Sequence, residues 1–212
     1  SLGPAVVGNV WAALWIYFVA PESADADERT RREKKFTVNI RNAPTPLNSL
    51  WAVEFGPRTT VQLTQDPTIT VADFSVSDDG RWVGFRGTSS DRYQRNVTEQ
   101  SINSDPYLLE VATGQIERLL NNSEVGESGL SFSPDSRWVA LSAPDDLTRF
   151  TMTNRRVYLR AAGERGGAWR KLGSSFDGDL SVDFWSADGG TIYFNTGIRA
   201  TTQLMALDVA KG

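Results

Sequence analysis

Ser77-Asp78-Asp79-Gly80-Arg81-Trp82-Val83, Ser133-Pro134-Asp135-Ser136-Arg137-Trp138-Val139 and Ser186-Ala187-Asp188-Gly189-Gly190-Thr191-Ile192 are three versions of one stretch. An aromatic residue or valine precedes each serine (Val76, Phe132, Trp185), and Phe85, Leu141 or Phe194 follows shortly after. Asp79, Asp135 and Asp188 lie 56 and 53 residues apart, and self-similarity at such a period marks a repeat architecture. Asp-Gly between two alternating apolar runs signals a tight hairpin, because glycine takes a positive φ without steric cost. An aspartate in such a turn bonds nearby backbone N–H groups. The three aspartates are therefore expected to serve the turns and not a metal, and Trp82, Trp138 and Trp185 to fill the core.

A second unit recurs four times, an apolar strand ending at a glycine turn: Leu50 to Gly56, Tyr107 to Gly114, Val157 to Gly163 and Leu204 to Gly212. After the first three copies a further alternating strand follows, at 59–63, 115–120 and 168–172. One repeat thus reads strand, hairpin, strand, variable loop, strand, glycine turn, strand. Four antiparallel strands per repeat is the content of a propeller blade. The fold class is all-β, a partial β-propeller over residues 1–212 with blades at about 5–64, 69–121, 128–173 and 180–212. The fourth unit reaches only its third strand, so the chain is expected to form part of a larger propeller.

The chain has 212 residues, 40% hydrophobic and 10% aromatic, enough for a real core. A net charge of −4 opposes nucleic-acid binding, which needs a basic face against phosphates. With no cysteine there is no disulfide or thiolate site. With no histidine, a Ser-His-Asp triad, a Cys-His dyad and a His-ligated zinc are all impossible within this chain. Gly-x-Ser-x-Gly is absent too, so the chain alone is expected to hold no catalytic residues, and no cofactor or metal is implied.

Residues 3–20 carry no charge, a length close to that of a membrane span. Pro4, Gly8, Asn9 and the lack of a preceding basic residue argue against one. Leu14 to Val19, aromatic and β-branched, reads as a buried strand. Residues 22–46 are a charged insertion, in which Arg29 to Lys35 reads as a solvated loop or short helix and Phe36 to Arg41 as a possible extra strand.

These repeats resemble the propeller blades of the prolyl-oligopeptidase family of serine peptidases. Phe132 to Ala140 is similar to the family's "F-S-P-D-G-x-x-[IV]-A" turn, with Ser136 where glycine is usual. Asp105 to Gly114 is similar to the strand that follows it, and Gln62-Leu63-Thr64 to the end of an outer strand. TolB and tricorn-type blades share the pattern. The resemblance implies a substrate-gating propeller above a separate α/β-hydrolase domain that supplies Ser, Asp and His, with peptides as substrates. It also implies an extracytoplasmic location. The alternative is a TolB-like protein-binding scaffold without enzymatic activity.

Variable loops on a rigid scaffold carry function. In the long loop 87–105, Arg92 and Arg95 could hold a peptide carboxylate and Tyr93 an apolar wall. In the loop 143–150, Asp145 and Asp146 could accept a substrate's N-terminal amine, as acidic residues do in the related dipeptidyl peptidases. Asp177, Asp179 and Asp183 could suggest calcium or a glycosidase pair, but strand alternation is expected to leave Asp177 in a turn with Asp179 and Asp183 on one side.

Overall fold

The structure, a computed structural model, describes residues 15–21, 26–34, 47–54, 56, 58–89, 104–120, 125–149 and 153–212. Four antiparallel sheets follow one another along the chain. The first holds β1 (Trp15–Pro21), β2 (Asn48–Glu54) and β3 (Thr60–Gln62), with helix α1 (Ala26–Glu33) inserted between β1 and β2. The second holds β4 (Ile69–Val76), β5 (Trp82–Ser89), β6 (Ser104–Glu110) and β7 (Gln115–Arg118). The third holds β8 (Ser128–Phe132), β9 (Trp138–Pro144), β10 (Arg155–Ala161) and β11 (Arg170–Leu172). The fourth holds β12 (Phe184–Trp185), β13 (Thr191–Ile198) and β14 (Thr201–Asp208). Each sheet is an up-and-down meander in chain order, and the four are called blades 1 to 4 below. No described helix is long and apolar enough to cross a membrane.

The three quoted stretches join the first two strands of blades 2, 3 and 4, and each closes with the same bonds. Ser77 Oγ donates to Asp79 Oδ1 (2.7 Å) and accepts from Trp82 N (2.9 Å), while Asp79 Oδ1 accepts from Arg81 N (3.0 Å). Ser133, Asp135, Arg137 and Trp138 repeat this at 2.6, 3.0 and 3.1 Å. Ser186, Asp188, Gly190 and Thr191 do so at 2.5, 2.9 and 2.9 Å. The bonds from Ser133 and Ser186 hold the Asp135 and Asp188 carboxyls below the usual aspartate value. The turn needs a left-handed residue after the aspartate, and Gly80 and Gly189 supply it at φ 68° and 70°. Ser136 takes φ 58° against the usual steric penalty of about 1–2 kcal/mol. In return its hydroxyl accepts Asp79 N of the neighbouring hairpin at 3.0 Å, tying blade 2 to blade 3.

Alternation along each strand gives every blade two apolar faces. Tyr17, Val19 and Leu50 of blade 1 pack with Val71, Val83, Phe85, Tyr107 and Leu109 of blade 2, where Phe85 and Tyr107 stack at 5.2 Å. Trp82, Leu108 and Leu119 meet Phe132, Val139 and Ala162 across the next boundary. Ala140, Val157 and Leu159 meet Ile192 and Phe194 across the last. Blades 2 and 3 are in close contact at Gly84, where an added Cβ would lie 1.9 Å from Leu130 Cδ2.

Two expectations fail locally. β1 is a strand, but one of its faces is open, with Ile16 exposed. The segment 173–183 is irregular, not the start of a regular strand that alternation would require. The reason lies in the backbone: Leu180 N donates to Arg155 O, Leu180 O accepts from Ser142 Oγ, and Asp179 accepts Arg155 N. The backbone groups of Leu180 are thus used on blade 3, and the segment rejoins β13 only at Asp183, whose N–H donates to Tyr193 O. The possible strand at 36–41 lies outside the described residues.

One charge sits inside a blade boundary. Arg160, its side chain 1% exposed, gives a bidentate pair to Glu117 of β7 at 2.7 and 3.1 Å. Gly166 N also donates to Glu117 (3.0 Å), and the guanidinium lies 5.3 Å over the Trp169 ring. Burial alone would push Glu117 up; the bonds from Arg160 and Gly166, with the nearby Arg160 and Arg165 charges, outweigh it and hold the carboxyl below its usual value. A depressed carboxylate stabilises the fold fully above the unfolded value of about 4.3 and loses that contribution as pH falls through the lower folded value.

Three outcomes are expected in urea unfolding. Ser136→Ala, which keeps the strained φ and loses the inter-hairpin bond, destabilises by about 1 kcal/mol, and Ser136→Gly recovers most of it. Glu117→Ala, which strands a buried guanidinium, destabilises by about 3 kcal/mol. Arg160→Leu costs less, because Val53, Leu109 and Leu207 hold the equivalent places in the other sheets. The gap between wild type and Arg160→Leu narrows below about pH 4.3; equal losses for the two boundary variants at every pH would refute the assignment.

Candidate functional site

Strand-joining loops fall at two ends of the blades. One end carries the short Ser-x-Asp hairpins. The opposite end carries the connections between second and third strands and the crossings from blade to blade. At that second end Arg155 and Arg156, adjacent at the start of β10, send their guanidinium groups to different partners. Arg155 donates to Gly126 O (3.0 Å), Ser128 Oγ (2.9 Å), Ser142 O (2.5 Å) and Ser142 Oγ (3.1 Å). Burial lowers its pKa against the pull of Asp179 and Glu127. Arg156 donates to Gly178 O (2.8 Å) and Phe176 O (3.0 Å). The two arginines thereby pin the crossings 125–128 and 173–180 onto blade 3.

Asp145 and Asp146 stand beside this clamp, where β9 turns toward β10. Asp145 Oδ1 accepts Lys171 Nζ at 2.6 Å and lies 3.8 Å from Arg156 Nε. The backbone there is fixed by Asp145 N bonding Asn154 O (2.8 Å) and by Tyr158 Oη donating to Pro144 O (2.8 Å). Burial, and then the Asp145 charge, push the Tyr158 hydroxyl up to about 12, so it remains a donor at physiological pH. Asp146 Oδ1 accepts Thr148 N (2.9 Å) and Thr148 Oγ1 (2.6 Å), and Oδ2 lies 3.2 Å from Arg149 Nε. The Thr148 bonds hold its carboxyl below the usual aspartate value.

This corner is a preordered set of alternating charges, suited to binding a charged group. Asp179 and Asp183 are not paired with each other: Asp179 accepts Arg155 N, and Asp183 accepts Ser181 Oγ (2.7 Å) and both nitrogens of Asn195 (2.9 and 2.8 Å). Among the described residues no three acidic side chains form a metal-binding group. Arg92, Tyr93 and Arg95 lie outside the described residues. Sequence reasoning missed Arg155, Arg156 and Lys171. The adjacent pair Arg155-Arg156 opening a strand that continues Val157-Tyr158-Leu159 was the available signal.

No protein-family model matches the chain, and no curated protein sequence does. Solved structures do. Oligogalacturonate lyase from Vibrio parahaemolyticus is similar at 15% identity and a TM-score of 0.59, over 77% of this chain and 46% of that one. A prolyl endopeptidase is similar at 13% identity and 0.55, over 77% and 25%. A putative TolB from Agrobacterium tumefaciens is similar at 17% identity and 0.52, over 78% and 55%. The match spans between a quarter and just over half the length of these proteins. Likeness at such identity is likeness of fold, and the fold is a β-propeller.

Proposed function

We propose that this chain is the substrate-gating propeller of a prolyl-oligopeptidase-type serine peptidase, orienting peptides for an α/β-hydrolase domain that is no part of its 212 residues. The observation that carries the reading is a β-propeller fold, shared with a prolyl endopeptidase, in a chain without a single histidine. The base of a Ser-His-Asp triad must then come from elsewhere, and what this chain contributes is binding and access. The supporting geometry is the rigid charged corner at the variable-loop end. Asp145 and Asp146 offer carboxylates to a peptide's N-terminal ammonium, which would compete with Lys171 for Asp145. Arg92 and Arg95 are assigned to the peptide's carboxylate, and Tyr93 to an apolar side chain. Asp145 N and Thr148 N are tied by hydrogen bonds to Asn154 O and the Asp146 carboxylate, so little ordering entropy is lost on binding.

The product of the whole coding sequence is expected to react with a fluorophosphonate probe, and the isolated 212-residue chain to show neither labelling nor peptide turnover. Turnover by the isolated chain overturns the reading. So does a whole product that fails to label while recovering a stable protein partner, the behaviour of a TolB-like scaffold. In the whole product, assayed without the probe, Asp145→Asn is expected to raise KM for peptides with a free N-terminus about tenfold, equivalent to about 1.4 kcal/mol, with kcat unchanged. Acetylated peptides serve as the comparison and should not respond.

A further inference from the structure

The dipeptide Asp-Gly occurs three times, at Asp79-Gly80, Asp177-Gly178 and Asp188-Gly189. An aspartyl carboxyl in this setting is open to attack by the next backbone nitrogen, because glycine has no Cβ to hinder the approach. The attack needs two freedoms. The nitrogen must be released from other bonds, and the carboxyl must turn so that Cγ meets it at reacting distance. In the two hairpin copies both freedoms are taken. Gly80 N donates to Ser77 O and Gly189 N to Ser186 O, each at 2.9 Å. Asp79 Oδ1 is held by Ser77 Oγ and Arg81 N, and Asp188 Oδ1 by Ser186 Oγ and Gly190 N. Asp135-Ser136 in the remaining hairpin is locked in the same way, with Ser136 N on Ser133 O at 2.8 Å.

Asp177-Gly178 has neither restraint. It lies in the irregular crossing 173–183 with Asp177 exposed, and among the described residues no hydrogen bond or ion pair engages the Asp177 carboxylate or the Gly178 N–H. What the crossing does fix is the chain on either side. The Arg156 guanidinium takes Phe176 O at 3.0 Å and Gly178 O at 2.8 Å, and Asp179 Oδ1 accepts Arg155 N at 2.7 Å. A free reacting pair is thus suspended between two anchored carbonyls.

We propose that Asp177 is a site of self-modification to isoaspartate, and that the conversion opens the Arg156 clamp. Gly178 N bonds to Asp177 Cγ, and the amide hydrogen leaves with the carboxyl hydroxyl as one water, closing a succinimide. A water molecule then adds at the former main-chain carbonyl carbon of Asp177 and breaks its bond to Gly178 N. The chain now runs through Cβ and Cγ, one atom longer, with a free α-carboxylate beside it and no change of mass. Water is the only co-reactant, and the exposure of Asp177 supplies it. The added atom lies between Phe176 O and Gly178 O, so the Arg156 guanidinium no longer holds both at hydrogen-bond distance. The Arg156 side chain is 6% exposed and lies 3.8 Å from Asp145, so the opened clamp reaches the charged corner. Nothing in this chemistry depends on the peptidase reading.

The product of the whole coding sequence is incubated at mildly acidic pH, where enough carboxyl is protonated to lose water, folded in buffer and in parallel unfolded in urea. Electron-transfer fragmentation of its peptides then locates isoaspartate residue by residue. In urea, where the hairpin bonds are gone, positions 79, 177 and 188 are expected to convert at similar rates. In the folded protein, position 177 is expected to convert about tenfold faster than either of the others. Conversion at 177 no faster than at 79 and 188 in the folded protein overturns the site. Asp177→Glu, whose longer side chain does not close the five-membered ring, supplies the unmodified comparison and is checked for folding by circular dichroism. Aged wild type is expected to exchange amide hydrogens across 173–183 faster than the equally aged variant, and equal exchange overturns the opening of the clamp. Neither measurement uses fluorophosphonate labelling or turnover, so failure here and failure of the peptidase reading are separately visible.

Discussion

A four-stranded blade is apolar on both faces and can bury neither alone. That constraint governs the rest of the molecule. Every blade boundary joins a forward face of one sheet to a back face of the next, and the positions involved repeat: Leu50 and Val157 forward, Val83, Val139 and Ile192 back. A fully buried aliphatic side chain contributes about 1.5–3 kcal/mol relative to exposure, so each boundary outweighs any single hydrogen bond in the hairpins. The hairpins matter for another reason. Their fixed serine–aspartate bonding gives three turns one geometry, and the first two strands of blades 2, 3 and 4 are therefore joined in the same way.

Polar groups enter this apolar scheme only where they are fully engaged. Arg160 replaces an aliphatic residue in the back face of blade 3 and is tolerated because a carboxylate, a backbone N–H on that carboxylate and an indole face surround it. Such a pair is weak evidence for added stability, since desolvation offsets much of the attraction. It does fix how blades 2 and 3 meet, because only one alignment of β7 and β10 brings Glu117 to Arg160. Ser136 acts similarly at the hairpin end. It accepts a strained backbone and gains the neighbouring hairpin's amide.

The propeller architecture was legible in the chain because its signals are local and repeated. Ser-x-Asp with a left-handed residue specifies a turn, and period-two apolar patterns on both sides specify the strands. What was not legible depends on distant partners. The crossing at 173–183 gives its backbone bonds to Arg155 and Ser142, residues 25 or more positions away, so its own pattern could not show that it leaves the sheet. Arg160 and Glu117 are 43 residues apart, and nothing in Leu159-Arg160-Ala161 distinguishes a buried arginine from an exposed one. At the candidate site, Asp145 and Asp146 were visible as an acidic pair. The cations that surround them, Arg156 and Lys171, come from two other strands and were not.

The two ends of the arc consequently differ in what they are free to vary. At the hairpin end the side chains of Ser77, Asp79, Ser133, Asp135, Ser186 and Asp188 are bonded within their own turns, and altering one disturbs the first strand of a blade. At the opposite end the fixed parts are the Arg155 and Arg156 clamps, which hold backbone carbonyls and so constrain chain path without dictating the side chains of the loops they support. Loop length varies there accordingly, from the two residues between β13 and β14 to the helix-bearing insertion between β1 and β2. A recognition surface needs that combination of rigid backbone and replaceable side chains. The charge alternation around Asp145 shows how it arises, from a corner fixed by β9, β10 and β11 whose outward carboxylates the fold itself does not require.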